Sequence, residues 1–412
     1  MLDHFIYGQV SRISPEAPIP VLKVESQQSM LGGLGNVVRN LGALGCSIQL
    51  FSITGDDSPG DEIHALLNGL PNCQTHLVRE PERKTPVKVR YVAHGQQLLR
   101  ADNETAHPIT ASSLQTTLHA FESTISACSV VILSDYAKGT LAGSYASEFI
   151  QIARAHNKPV IVDPKGRDFT RYRNATLIKP NAKELAEASQ LPVANTDEQI
   201  SAARKLLAET GAQYILLTRG ADGMLLIPHD GEAHSFKSLA REVFEVSGAG
   251  DTVASALAAA LGSGCSIDDS AAIANIAAGI VVGKVGTATV DRSEIVHEIE
   301  HKSALIASDK ILRPDQAVER IRMWKRSRLK VGFISGVFSN LAPSDLERLE
   351  RARNTCDRLV IGVRKDASAT QDQPTRAYVL ASMVFSDAIV VSDDPTPDAL
   401  ITALQPDLVF PS

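Results

Sequence analysis

The chain has no excess of positive charge. Its 412 residues carry 41 Lys and Arg against 47 Asp and Glu, a net charge of −6. No global basic field recruits nucleic acid or an anionic membrane surface, so anions must be met in local pockets. Paired cysteines are lacking too. Cys46, Cys73, Cys128, Cys265 and Cys356 are odd in number, scattered, and without metal-ligand spacing. This argues against a disulfide framework and a cysteine zinc site, and for reduced thiols in the cytoplasm. The N-terminus "MLDHFIYGQVSR" lacks the charged-then-apolar order of a secretory signal. No apolar run approaches the roughly 18 residues of a membrane span. The longest, "AAIANIAAGIVVG", follows Asp268 and Asp269 and reads as a buried helix. Internal repeats and low-complexity tracts are absent.

What remains is ordinary globular composition, 44% hydrophobic and 21% charged, with enough chain for two or more domains. Apolar runs such as "SIQLFSI", "SVVILSD", "PVIVDP", "TLIKPN" and "YILLTRG" alternate with helix-compatible segments. Fully apolar strands between amphipathic helices predict an α/β fold with a parallel sheet covered on both faces. Ligands gather at the carboxyl ends of such strands, where Asp135, Asp163, Asn181 and Gly220 fall. Two early segments, "APIPVLKVESQQSMLGG" and "TPVKVRYVAHGQQLLRAD", alternate like antiparallel strands of a small protruding sheet. After Thr289 the texture turns polar and helical, and at Leu329 a fresh β/α pattern begins. The expected division is a first domain over 1–303, a helical linker over 304–328 and a second domain over 329–412.

Four motifs carry chemistry. Gly248-Ala249-Gly250-Asp251 stands between a β-like run and a long Ala/Leu run. Glycines permit a tight turn and close approach, and a helix start offers unpaired amides and a positive dipole end. This makes either an anion hole with Asp251 as base or a plain helix cap. "GGLGNVVRNLGALG", Gly32 to Gly45, offers Gly33 and Asn36 to a polyol, or is a Gly-rich turn before a helix. In "KPNAKE", Asn181 and Glu184 are three apart. They can organise Mg²⁺ near phosphates, or simply close a capping box. "TRGADGM", Thr218 to Met224, is a strand–turn–strand.

In this order the motifs resemble the ribokinase/PfkB sugar kinase family, over about residues 1 to 300. Longer strings, "YGQVSRISPEAPIPVLKV", "GQQLLRAD", "LSDYAKGTL", "VDPKGRDFTRYRNATLIKPN" and "NIAAGIVVGKVGTATV", are similar to the kinase half of the bifunctional heptose 7-phosphate kinase/heptose 1-phosphate adenylyltransferases. The resemblance implies a ribokinase-like fold with a small β-sheet lid, followed by a Rossmann-like nucleotidyltransferase-type domain. It implies ATP and Mg²⁺, a heptose 7-phosphate substrate phosphorylated at its anomeric hydroxyl, and a homodimer. Asp251 would be the base, with the amides of Gly248, Ala249 and Gly250 on the γ-phosphoryl group. Asn181, Ala182, Lys183 and Glu184 would lie at the nucleotide phosphates and Mg²⁺, with Glu184 acting on the metal indirectly. Thr218, Gly220 and Asn275 would flank the nucleotide, Asn275 beside adenine. Asp3, Gly33 and Asn36 would bind sugar hydroxyls. Lys88, Arg90, Arg100 and Lys138 are the candidate receptors for the 7-phosphate.

Two departures from the family pattern stand out. Relatives are already ending their first strand where this chain reads Met1-Leu2-Asp3. The expectation is a start assigned too far downstream, and an open slot in the sheet without that strand. In the second domain, where relatives place His-x-Gly-His at a helix start, this chain reads Ala342-Pro343-Ser344-Asp345. A later Arg-containing turn is shortened around "DQPTRAYVL", and the chain reads "PDLVFPS" short of the family's final motifs. The resemblance therefore implies a kinase whose adenylyltransferase half is degenerate. A kinase for another phosphorylated sugar and a non-catalytic scaffold are the competing readings.

Overall fold

The structure is a computed structural model. It describes residues 1–239, 248–284, 288–305, 307–326, 328–339, 341–366, 369, 371–392 and 396–411. The β-like run expected just before Gly248 lies outside the described residues. The chain forms two compact units, Met1–Ile295 and Val296–Ser412.

Among the described residues of the first unit, twelve strands form three sheets. β1 (Leu2–Ile13), β2 (Pro20–Leu31), β5 (Val87–Ala93) and β6 (Gln96–Asn103) make a four-stranded sheet in the order β2-β1-β5-β6. β3 (Ile48–Gly55) and β4 (Cys73–Glu80) pair in parallel by themselves. β7 (Val131–Ser134), β8 (Val160–Asp163), β9 (Leu177–Ile178), β10 (Tyr214–Thr218), β11 (Met224–Pro228) and β12 (His234–Phe236) make a six-stranded sheet in the order β12-β11-β10-β9-β8-β7. The first four of these, β7 to β10, run parallel, and β11 turns back antiparallel through the "TRGADGM" turn.

The side-chain period of two explains why those strands read as continuous apolar runs. Val160, Val162, Ile178, Ile215, Leu217, Leu225 and Ile227 enter one core. Their alternates Ile161, Leu177, Leu216, Met224 and Leu226 enter the core on the opposite face. Each such residue is buried, worth roughly 1.5–3 kcal/mol by transfer. The second core is closed by the helices Ala249–Gly262 and Ile267–Val282, the Ala-rich runs of the sequence.

The small sheet contains one strand more than its two segments foretold. β2 and β5 do not pair with each other, because β1 lies between them, antiparallel to β2 and parallel to β5. The segment "LDHFIYGQVSRI" alternates too weakly in hydrophobicity to announce a strand, and its outer half is exposed.

The second unit holds a wholly parallel sheet of β13 (Ile311–Leu312), β14 (Val331–Gly336), β15 (Arg358–Arg364), β16 (Ala388–Ser392) and β17 (Leu408–Val409), in the order β13-β16-β15-β14-β17. The units divide earlier than residue 304. The stretch 304–328 belongs to the second unit: β13 pairs with β16, and the helix Pro314–Arg326 buries Ala317, Ile321 and Trp324 against the sheet. No helix of the described residues is long and apolar enough to cross a membrane.

Candidate active site

The helix Ala249–Gly262 starts at Gly248, whose φ of 83° is left-handed, a conformation glycine adopts without strain. Among the described residues, no side chain caps this end. Its first amides are therefore open to a ligand, in a field that favours negative charge. The helix is held rigidly. Val253, Ala256, Leu257 and Ala258 pack on the sheet, while Ser255 donates to the Val37 carbonyl at 3.2 Å and Thr252 to Asn40 Oδ1 at 3.2 Å. Both contacts reach the helix Leu34–Ala43.

These contacts bring Asn36 to Asp251. The buried Asn36 donates from Nδ2 to Asp251 Oδ2 at 3.0 Å. Tyr136 donates its hydroxyl to Asp251 Oδ1 at 2.9 Å. Burial pushes the Asp251 carboxyl above its ordinary range, and the two donors pull it partly back. Burial, then the Asp251 and Asp163 charges, push the Tyr136 phenol well up, so it stays a donor. A carboxylate base raised by burial and held by two fixed donors suits proton abstraction from a hydroxyl.

Tyr136 was not singled out from the sequence. Its signal was its place in "LSDYAKGTL", directly after a strand. The loop is fixed by Asp135, which accepts from the Ala137 amide at 2.7 Å and the Tyr172 hydroxyl at 2.7 Å, and pairs with Arg171 at 2.8 Å. A second buried anchor, Arg83, pairs with Glu80 at 2.8 Å and donates to the carbonyls of Lys138 at 3.0 Å and His107 at 2.9 Å.

The small sheet gathers the remaining sugar-side candidates. Register places Asp3 beside Lys88, Phe5 beside Arg90, and Arg90 beside Arg100, all on one face. Arg90 donates to Asp3 at 2.6 Å and lies 5.2 Å over the Phe5 ring. Arg100 pairs with Asp102 at 2.8 Å, and Lys138 with Glu104. Gly32 has no room for a side chain, because a Cβ there would stand 2.2 Å from Asp3 Oδ2. Gly33, with φ +56°, faces the Tyr136 ring.

Among the residues expected at the nucleotide, Asn181 caps the helix Ala182–Ser189 and closes a full capping box with Glu184, at 2.9 and 3.0 Å. Glu184 also pairs with Lys165 at 2.9 Å, whereas Lys183 is exposed and pairs with Glu187 at 3.8 Å. The box is thus formed, and it fixes the Glu184 carboxylate in place. Thr218 bridges Asn181, and Gly220 turns with φ +60°. Asn275 is buried and donates to the Lys237 carbonyl at 2.8 Å. Lys179, the first residue of "KPNAKE", is buried against Asp163 at 2.9 Å, and the sequence reading gave it no role.

The model of the pfkB family carbohydrate kinases matches residues 3–294, the whole of this site included. The chain is a pfkB family carbohydrate kinase. The kinase is similar over its full length to curated bifunctional HldE proteins. It is 44% identical to the Rhodospirillum rubrum protein over 99% of this chain and 84% of that one. It is likewise 42% identical to the Caulobacter vibrioides protein, over 99% and 86%. It belongs with them. Among solved structures, it shares its fold with phosphofructokinase-2 from Escherichia coli, at TM-score 0.60 and 20% identity over 73% of this chain and 96% of that one. Ribokinase from Arabidopsis thaliana follows at TM-score 0.57 and 18% identity, over 72% and 95%.

Proposed function

We propose that the kinase transfers the γ-phosphoryl group of ATP to the anomeric hydroxyl of D-glycero-β-D-manno-heptose 7-phosphate, giving the 1,7-bisphosphate for ADP-heptose and lipopolysaccharide core synthesis. The observation that carries the reading is Asp251 at an uncapped helix start, buried and held by Asn36 and Tyr136. Asp251 takes the proton from the sugar O1. The O1–P bond forms as the bond from phosphorus to the ADP oxygen breaks, and ADP leaves. The amides from Gly248 to Asp251 receive the phosphoryl oxygens. The mixed face of Asp3, Lys88, Arg90 and Arg100, with Lys138, supports a phosphorylated polyol as acceptor, because cations there can exchange their carboxylate partners for phosphate.

Mg²⁺ neutralises phosphate charge in such a transfer when bound. Among the described residues no three His, Cys, Asp or Glu side chains gather as a metal cage. The fixed Glu184 carboxylate is a hard oxygen donor, and it fits a metal held through water and the nucleotide phosphates. In the second unit Asp345 occupies the helix start that relatives give to histidine, and we read adenylyl transfer as lost there. The exposed Ile13, Val24, Leu98 and Leu99 of the small sheet support a homodimer, which light scattering of the purified protein tests.

The test of the kinase reading is a substrate panel with ATP and Mg²⁺. Heptose 7-phosphate is expected to be the preferred acceptor over fructose 6-phosphate and ribose. Turnover of either of those without the heptose phosphate would sink the assignment. No turnover of any sugar, equal to Asp251→Asn, would favour a scaffold.

A further inference from the structure

Lys179 is a buried lysine that opens the string "KPNAKE" but has no part in its capping box. It follows β9 at the carboxyl edge of the sheet, and its side chain is 4% exposed. Its Nζ meets Asp163 Oδ1 at 2.9 Å and, among the described residues, has no other partner, so two ammonium N–H groups are unspent. The ammonium also lies 3.6 Å from where a Cβ on Gly250 would stand. It therefore flanks the first turn of the helix Ala249–Gly262, beside the open amides. A cation is disfavoured at the positive end of a helix unless an anion stands between them. Asp163 answers only part of that charge. Burial pushes the Asp163 carboxyl up, and Lys179 pulls it back.

We infer that Lys179 is a further phosphoryl-contacting residue of the kinase: its two free N–H groups meet an oxygen of the transferring phosphoryl group held at the Gly248–Asp251 amides, and Asp163 is the positioning residue that aims it. The inference rests on the kinase reading of Asp251. Lys179 keeps its proton throughout. It supplies positive charge whose value grows as the phosphoryl group leaves ADP. Gly250 keeps the space between ammonium and amides free of a side chain.

The alternative is a plain structural ion pair that ties the ends of β8 and β9, and three variants of the full chain separate the two. Lys179→Met is expected to lower kcat about 10²–10³-fold, the loss typical of one removed donor in an anion hole. The affinity for ADP alone should change little. Lys179→Met with Asp163→Asn removes both charges and leaves no stranded acid, so it is the variant to trust if the single one folds poorly. It should remain as slow as Lys179→Met. Asp163→Asn, which keeps the ammonium, should lose less than tenfold. Binding of ADP with aluminium fluoride and sugar phosphate, which mimics the phosphoryl in flight, should tighten over ADP in the wild type and not in either Lys179 variant. A double variant within about threefold of wild-type kcat, or equal losses from Lys179→Met and Asp163→Asn, would overturn the inference. The sugar used is whichever one the wild type phosphorylates. A failed heptose assignment therefore shows in the wild-type panel and leaves the Lys179 comparison readable.

Discussion

The helices Ala249–Gly262 and Pro343–Asn354, one in each unit, each carry an acid in the first turn, and they begin differently. The helix Ala249–Gly262 starts on left-handed Gly248 with no side-chain cap, and its acid, Asp251, is turned to Asn36 and Tyr136. The helix Pro343–Asn354 starts after Ala342, and its acid, Asp345, folds back to accept the Ala342 amide at 3.1 Å and pair with Arg348 at 3.3 Å. Both acids sit in the first turn. One is spent on its own helix; the other is kept for something else by donors from two other segments. An acid at a helix start is therefore informative only through what holds it.

The strongest way to break the comparison is to neutralise each acid. Asp251→Asn is expected to cost about 10²–10⁴-fold in kcat, the usual worth of general-base catalysis. Asp345→Asn should leave sugar phosphorylation within twofold. Coupled-assay ADP release reads both, and a large effect at Asp345 would mean that the second unit serves the kinase reaction.

Rebuilding the second helix start is the converse. Ala342→His with Ser344→Gly and Asp345→His restores the relatives' pattern and removes the fold-back carboxylate. Nucleotide affinity of the second unit, read by calorimetry in an Asp251→Asn background, should rise at least tenfold if those residues alone make this helix start a nucleotide site.

The donors on Asp251 can be tested through pH. Its carboxyl is raised by burial and lowered again by Asn36 and Tyr136, and the base acts when deprotonated. Activity is thus present above its pKa and lost as pH falls through it. Tyr136→Phe removes a hydrogen bond to the charged form, worth about 1.5–3 kcal/mol, and one pKa unit is about 1.4 kcal/mol. The acid limb of kcat/KM should move up by about one unit or more. An unmoved limb would mean that Tyr136 does not face the base in solution.

The smallest expected effect is on stability. Asp345→Ala strips the second helix start of its fold-back and should cost about 0.5–2 kcal/mol, the worth of a lost cap, seen as a lower melting temperature of the second unit. Kinase turnover should be unchanged.

Much of this was legible in the chain itself. Strands such as "YILLTRG" and "PVIVDP" lie where their apolar runs stand, because a strand buried on both faces needs no polar alternation. Asn181 and Glu184 were readable as a capping box, since three residues is the spacing at which both reciprocal bonds close. β1 was not legible, because a half-exposed lid strand carries little hydrophobic signal and is specified by its neighbours β2 and β5. Tyr136 and Lys179 were not legible as site residues either. Both lie inside strings quoted from the sequence, "LSDYAKGTL" and "KPNAKE", yet neither residue type implies a site without knowing what it faces.

The sequence by itself determined the α/β class, the order of the motifs and the presence of glycine where a helix starts on a left-handed residue. Those depend on local period and on backbone freedom. Only the tertiary structure decided that Asn36 and Tyr136 hold Asp251 across separations of 215 and 115 residues, and that Lys179 lies beside Gly250. Hydrogen bonds and charge pairs act over a few ångströms of space, so their partners are chosen by packing and not by position in the chain.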